Sequence, residues 1–268
     1  MARVICVAGE SGSGKTTSLR NLNPEETYII DADKKGLSWR GWKKQYNAEN
    51  KNYAATDEPD KILYIMLGIA KERPHIKVIV IDTIGSVMVA DEMRRAKEKG
   101  YDKWTDLAQC IWKIVDAAYP LRDDLTVVFM AHVQTERDDN GYLFTRIKTS
   151  GRKLEKINLE TKFTTVLIAK CVGGQYIFET HANNSTAKSP MGLCEDDTRP
   201  NDIGAVIDAL KTYENEYGGY NHEKTKRLGQ RTGIRELQTA RAGRIHLPHC
   251  EGRGNKIEKR QGYARHFS

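Results

Sequence analysis

"VAGESGSGKTTSLRNL", residues 7–22, decides the fold of this 268-residue chain. Residues 9–16 read G-E-S-G-S-G-K-T and fit G-x-x-x-x-G-K-[ST]. The short apolar run before them, "RVICVA", reads as a buried strand. "KTTSLRNL" after them reads as a helix, closed by Asn23-Pro24. A glycine loop between strand and helix binds anions, because successive N–H groups turn inward and a helix start adds its unpaired donors. The spacing makes Gly9, Glu10, Ser11, Gly12, Ser13, Gly14, Lys15, Thr16 and Thr17 the contacts to a triphosphate. Lys15 is expected to reach the β- and γ-phosphates and to be exposed in the empty site. Thr16 is expected to hold Mg2+ through its hydroxyl. The plainer reading is a Gly/Ser turn, against which the strand and helix on either side weigh.

A phosphate site in an α/β sheet lies at the carboxyl ends of strands. Three further apolar runs end in polar residues. "KVIVIDT", residues 77–83, is a β-branched run ending in Asp82, the Walker B form of an acid near Mg2+. Thr83 follows it rather than a second acid, so the catalytic base must come from elsewhere. "TYIIDADKKG", residues 27–36, sends out Asp31 and Asp33, and a period of two puts both on one side of the strand. One is expected to orient water and the other to be structural; two solvated turn aspartates are the competing reading. "LTVVFMAH", residues 125–132, ends in His132, placed to touch a γ-phosphate or to be an ordinary hydrogen-bonded strand-end histidine.

The order glycine loop, "IDAD", "VIVIDT", "FMAH" resembles RecA-like ATPase cores. "GRKLEKINLETKFTTVLIAKCVGGQYIFET", with "TAKSPMGL" and "PNDIGAVIDALKTY" after it, is similar to phage nucleotide-binding proteins of the AAA ATPase type, some of which act as core-only recombinases with single-strand annealing proteins. The resemblance covers residues 2 to about 217. It implies an α/β, three-layer P-loop NTPase fold with a mostly parallel sheet. It implies ATP and Mg2+ as cofactors, with Lys15 and Thr16 on the phosphates and Mg2+, and Asp82 as Walker B acid. Asp33 becomes the candidate base, one methylene shorter than the glutamate usual there, so slow hydrolysis is expected. His132 becomes a γ-phosphate sensor, and Lys188 in "TAKSP" a cation reaching a neighbouring subunit's nucleotide.

Between residues 34 and 119 the pattern predicts a helix near 57–73 and one or two amphipathic helices over 84–119, broken near Gly100. Trp104, Leu107, Ile111 and Ile114 share a face. After His132, Asn140-Gly141 marks a turn. Arg146, Lys148, Arg152, Lys153 and Lys156 then form a basic segment. In RecA-like proteins the loops after this strand face DNA, so the resemblance implies that the segment holds single-stranded DNA phosphates while Tyr142 or Phe144 stacks on bases; a solvated loop is the plainer reading. Gly173-Gly174 marks a hairpin, and "DIGAVIDALKTY" the last core helix.

The net charge of +7 is uneven. Residues 214–268 carry 12 Lys+Arg against 6 Asp+Glu. The division expected is 1–217 as the ATPase domain and 218–268 as a basic, disordered tail. The five cysteines form no CxxC pair and read as reduced thiols. No apolar run reaches the ~18 residues of a membrane span, and "VICVA" is too short for a signal peptide. A cytoplasmic protein is expected, inside a host cell if viral. The combined expectation is a slow Mg2+-dependent ATPase of phage DNA recombination or replication. Its expected partners are single-stranded DNA, a single-strand annealing or SSB-type protein, and further copies of itself. The rivals are a small-molecule kinase and an ATP-gated switch that does not hydrolyse.

Overall fold

Continuous apolar runs such as "VIVI" and "TVVFMA" need cover on both faces of a sheet. The computed structural model describes residues 1–100, 102–137, 141–149 and 158–215. Among them nine strands form one sheet: β1 (Arg3–Gly9), β2 (Thr27–Asp31), β3 (Tyr53–Ala55), β4 (Val78–Asp82), β5 (Thr126–Arg137), β6 (Leu143–Ile147), β7 (Thr165–Val172), β8 (Gln175–Glu179) and β9 (Thr198–Pro200). Their order is β3-β2-β4-β5-β1-β7-β8-β9, with β6 paired to β5. The six strands from β3 to β7 in that order run parallel. β6, β8 and β9 are antiparallel additions.

Alternation along each strand builds two apolar layers. Cys6 and Ala8 of β1, Ile79 and Ile81 of β4, and Val127 and Phe129 of β5 face one way. After the short helix α1 (Trp42–Gln45) the chain forms α2 (Pro59–Glu72), α3 (Ile84–Arg94) and α4 (Asp102–Ala118), on which they pack through residues such as Met66, Val87 and Ile111. Ile5 and Val7, Val78 and Val80, and Val128 and Met130 face the other way. They meet Leu19, Tyr46 and, from helix α5 over 203–215, Ile203, Val206 and Ile207. Ile79, Ile81 and Phe129 are wholly buried, and each contributes roughly 1.5–3 kcal/mol by leaving water. The fold is thus the three-layer α/β arrangement with a mostly parallel sheet. Continuing the alternation, Asp82 follows Ile81 onto the second face, the one that carries Leu19 and the loop before it.

Several expectations hold in detail. The helix expected near 57–73 is α2, with Pro59 in its first turn. The break near Gly100, at φ +114°, separates α3 from α4. Gly173 and Gly174, both with positive φ, turn β7 into β8. Two expectations need correction. The helix expected after the glycine loop is only a four-residue 3-10 turn, Thr16–Leu19. Polar side chains compete for its backbone: Ser18 Oγ donates to the Lys15 carbonyl at 2.6 Å and Arg20 to the Thr17 carbonyl at 3.1 Å. β5 also does not stop at His132. Its parallel pairing with β1 ends there, opposite Gly9, and from Val133 it pairs with β6 as a hairpin arm. No helix among the described residues is long and apolar enough to cross a membrane.

Candidate active site

The loop after β1 is built around close approaches. A Cβ on Gly9 would lie 2.4 Å from Ser13 Oγ and 2.7 Å from the Ala169 carbonyl. Gly14 has φ +94°, and a Cβ there would meet the Tyr176 ring at 2.7 Å. Only glycine fits both places. Among the described residues, no backbone carbonyl takes the N–H groups of Gly12, Gly14 or Lys15. They are donors awaiting an acceptor, as an anion cradle requires. With one 3-10 turn behind the loop, the cradle depends on these loop amides rather than on a long helix.

Lys15 differs from its expectation. It is 6% exposed, because its ammonium folds back onto the loop, donating to the Gly9 carbonyl at 2.8 Å and the Glu10 carbonyl at 2.7 Å. Burial lowers its pKa to about 8, against the opposing field of Asp82. The cation is held ready at the loop rather than extended into solvent. Thr17 Oγ1 lies 3.0 Å from Ser38 Oγ.

β4 places Asp82 beside the loop, 2% exposed. Thr16 Oγ1 donates to Asp82 Oδ2 at 2.6 Å. The other carboxylate oxygen, Oδ1, is buried without a partner. Burial pushes the Asp82 pKa up to about 6, opposed by the Thr16 hydrogen bond. A hydroxyl and a carboxylate with an unsatisfied buried oxygen are hard donors of the type Mg2+ takes, and such an ion would relieve the desolvated charge. The residues present therefore fit the metal.

Asp31 and Asp33 separate into two environments. Asp31, 1% exposed, accepts the Lys34 and Gly36 N–H groups at 2.8 and 2.7 Å and the Tyr53 hydroxyl at 2.7 Å. It is structural. Asp33 accepts from Thr83 Oγ1 at 2.9 Å, from Ser86 Oγ, and from the Lys35 ammonium. Burial raises its pKa, but the bonds from Lys35, Ser86 and Thr83 outweigh that and hold it below the ordinary value. Asp33 is thus ionised and already engaged.

Asp33, Ser86, Lys35, Glu10, Ser11, His132 and Lys148 line one cavity of about 840 Å³. His132 enters it from β5, the strand lying between β1 and β4. Burial first, and Lys15 second, lower the imidazole below its ordinary pKa, so it is neutral at pH 7. The sequence reading named Lys15, Thr16, Asp82, Asp33 and His132, which the fold places within reach of one another through the Thr16–Asp82 bond and the mutual charges of Lys15, Asp33 and His132. It passed over Lys35 and Ser86. The pair of polar residues after "DAD" and the serine one turn into α3 were the signals available.

The basic segment divides. Lys148 borders the cavity that His132 enters, and its N–H donates to the His132 carbonyl at 2.7 Å. Arg146 is turned onto the protein, with Asn158 Oδ1 at 2.7 Å and Glu136 at 3.6 Å. Arg152, Lys153 and Lys156 lie outside the described residues, as do Asn140 and residues 218–268. Lys188 borders a different cavity of about 460 Å³, with Arg146 and Glu160.

A family model described as AAA domain matches residues 1–191. No curated protein matches the chain.

Proposed function

The chain belongs to the AAA domain family of P-loop ATPases, and from that premise we propose that it binds ATP with Mg2+ and hydrolyses it slowly, as a RecA-like domain coupled to phage DNA recombination or replication. The observation that carries the reading is the Thr16–Asp82 pair beside unpartnered loop amides, with one buried carboxylate oxygen unused. Bound Mg2+ would be held by Thr16 and Asp82 and would neutralise charge on the phosphates. Lys15 binds the phosphate oxygens through its ammonium. Asp33 orients the attacking water. Held below its ordinary pKa by three donors, Asp33 is a weak base, which supports slow turnover. His132, neutral at the end of the parallel part of β5, is placed to hydrogen-bond a terminal phosphate.

The hairpin arm supports coupling to nucleic acid. β5 carries His132 and continues unbroken into the arm that pairs with β6. On β6 and just before it, Tyr142, Leu143 and Phe144 are 70%, 53% and 41% exposed. Aromatic rings beside a basic segment suit stacked single-strand bases. Binding of single-stranded DNA is then expected to fall linearly with salt on a log–log plot, with a slope of about −0.7 per phosphate contact. Fluorescence anisotropy with a labelled oligonucleotide reads this out. Deleting residues 218–268 lowers the slope but keeps ATP-dependent binding. Arg152→Ala with Lys153→Ala removes the ATP dependence. A tail-less protein with no DNA affinity in any nucleotide state contradicts the DNA role.

One observation favours a second reading, a small-molecule kinase: the 840 Å³ cavity beside Asp33 is large enough for an acceptor. A screen of phosphate acceptors separates the two, since a kinase consumes ATP only with its acceptor present.

A further inference from the structure

The turn from Ala32 to Gly36, at the end of β2, is held more firmly than a surface turn requires. The Asp31 carboxylate takes two of its N–H groups and the Tyr53 hydroxyl. The N–H groups of Ala32 and Asp33 donate to the Asp82 carbonyl at 2.7 and 3.3 Å. The turn is therefore fixed to the strand that carries the Walker B acid. Its two lysines leave in different directions. Lys34 pairs with Asp57 at 2.8 Å. Lys35 pairs with Asp33 and lines the cavity that His132 enters.

Stability does not account for Lys35. Its side chain is 57% exposed, and an ion pair so placed contributes about 0–1 kcal/mol. Its charge is felt across the site. After burial, it is among the charges that lower both Lys15 and His132. Lys35 and His132 line the same cavity, and Lys15, folded onto the loop beside it, lies within electrostatic reach of both; two of the three are cations. Cations held near each other gain when an anion arrives between them.

We propose that Lys35 is a catalytic residue, the chain's own charge-stabilising cation for the terminal phosphate. Without nucleotide it pairs with Asp33. With a triphosphate bound it moves to the γ-phosphate and leaves Asp33 free to orient water. In the step that follows, the water oxygen bonds to the terminal phosphorus and its proton passes to Asp33. The bond from that phosphorus to the bridging oxygen breaks, and ADP leaves with the electron pair. The exchange couples base release to the presence of a third phosphate, so ADP does not trigger it. This rests on the triphosphate-binding reading above.

The test compares wild type, Lys35→Ala and Lys35→Arg by calorimetry with Mg2+, using ADP and a non-hydrolysable ATP analogue, together with kcat. Lys35→Ala is expected to bind ADP as wild type does and to lose about tenfold or more in analogue affinity, the worth of one charge-assisted hydrogen bond. Its kcat is expected to fall at least about 100-fold, and Lys35→Arg to restore analogue affinity and part of kcat. Equal effects on ADP and analogue, or none, overturn the proposal. So does a kcat that rises in Lys35→Ala, since Lys35 would then only restrain Asp33. A wild type that binds neither nucleotide overturns the triphosphate-binding reading and this proposal with it. ADP binding without the Lys35 effect overturns the proposal alone.

Discussion

Lys15→Ala is expected to weaken ATP binding by about 100-fold or more and to abolish measurable turnover, with the fold intact. The ammonium makes two hydrogen bonds to loop carbonyls in the empty protein, and a bound phosphate would take it over. Each charge-assisted bond of that kind is worth about 1.5–3 kcal/mol, so two correspond to at least that loss. The fold survives because the group removed is a desolvated charge, lowered to a pKa of about 8 by burial. The same value sets a pH dependence. A bound phosphate raises the Lys15 pKa, so above pH 8 binding must take up a proton that the free site has lost. Affinity should be flat between pH 7 and pH 8 and fall by up to tenfold per pH unit above it. Calorimetry across pH 7–9.5 checks this, and unchanged affinity in Lys15→Ala would remove the loop as the phosphate site.

Asp33→Asn is expected to keep ATP binding and lose about 10²–10⁴ in kcat, the usual range for a positioned base. The amide keeps the shape of the carboxylate and still accepts from Thr83 and Ser86, but it cannot accept a proton from water. Its ion pair with the exposed Lys35 contributes little to folding, so the melting temperature should hardly move. Asp31→Asn is expected to behave in the opposite way. Asp31 accepts three hydrogen bonds while buried, and an amide NH2 would confront donors, at a cost of about 1–3 kcal/mol. Melting curves and phosphate release on the two variants separate a catalytic carboxylate from a structural one. Normal turnover in Asp33→Asn would move the base elsewhere, with Asp91 and Glu92 next to examine.

Much of this site was legible because its parts are local. The glycine loop, the run into Asp82 and the run into His132 each lie within ten residues or fewer, and apolar continuity announces a strand covered on both faces. Their convergence follows from parallel strands ending on the same side. What escaped depends on individual side-chain contacts and pairings, which a pattern of residue types does not carry. Lys15 is buried because carbonyls of its own loop receive it, which no periodicity reveals. Thr16–Leu19 is a 3-10 turn because Ser18 and Arg20 compete for carbonyls. β5 runs past His132 because β6, ten or more residues on, pairs with it. The directions of Lys34 and Lys35 are set by Asp57 and Asp33, distant and near partners that spacing alone does not rank. Trp42 packs with its ring 5.5 Å from that of Tyr53, a contact between segments that spacing does not announce.

The central claim is that this loop, Asp82 and Asp33 form a site for Mg2+-dependent ATP hydrolysis. Phosphate release by the purified full chain from ATP alone, with Mg2+ and then with excess chelator, tests it most directly. The expected result is turnover well below the ~10 s⁻¹ typical of enzymes, lost on chelation and lost in Asp33→Asn. ATP bound without any phosphate release, or release indifferent to chelator and to Asp33, would contradict it.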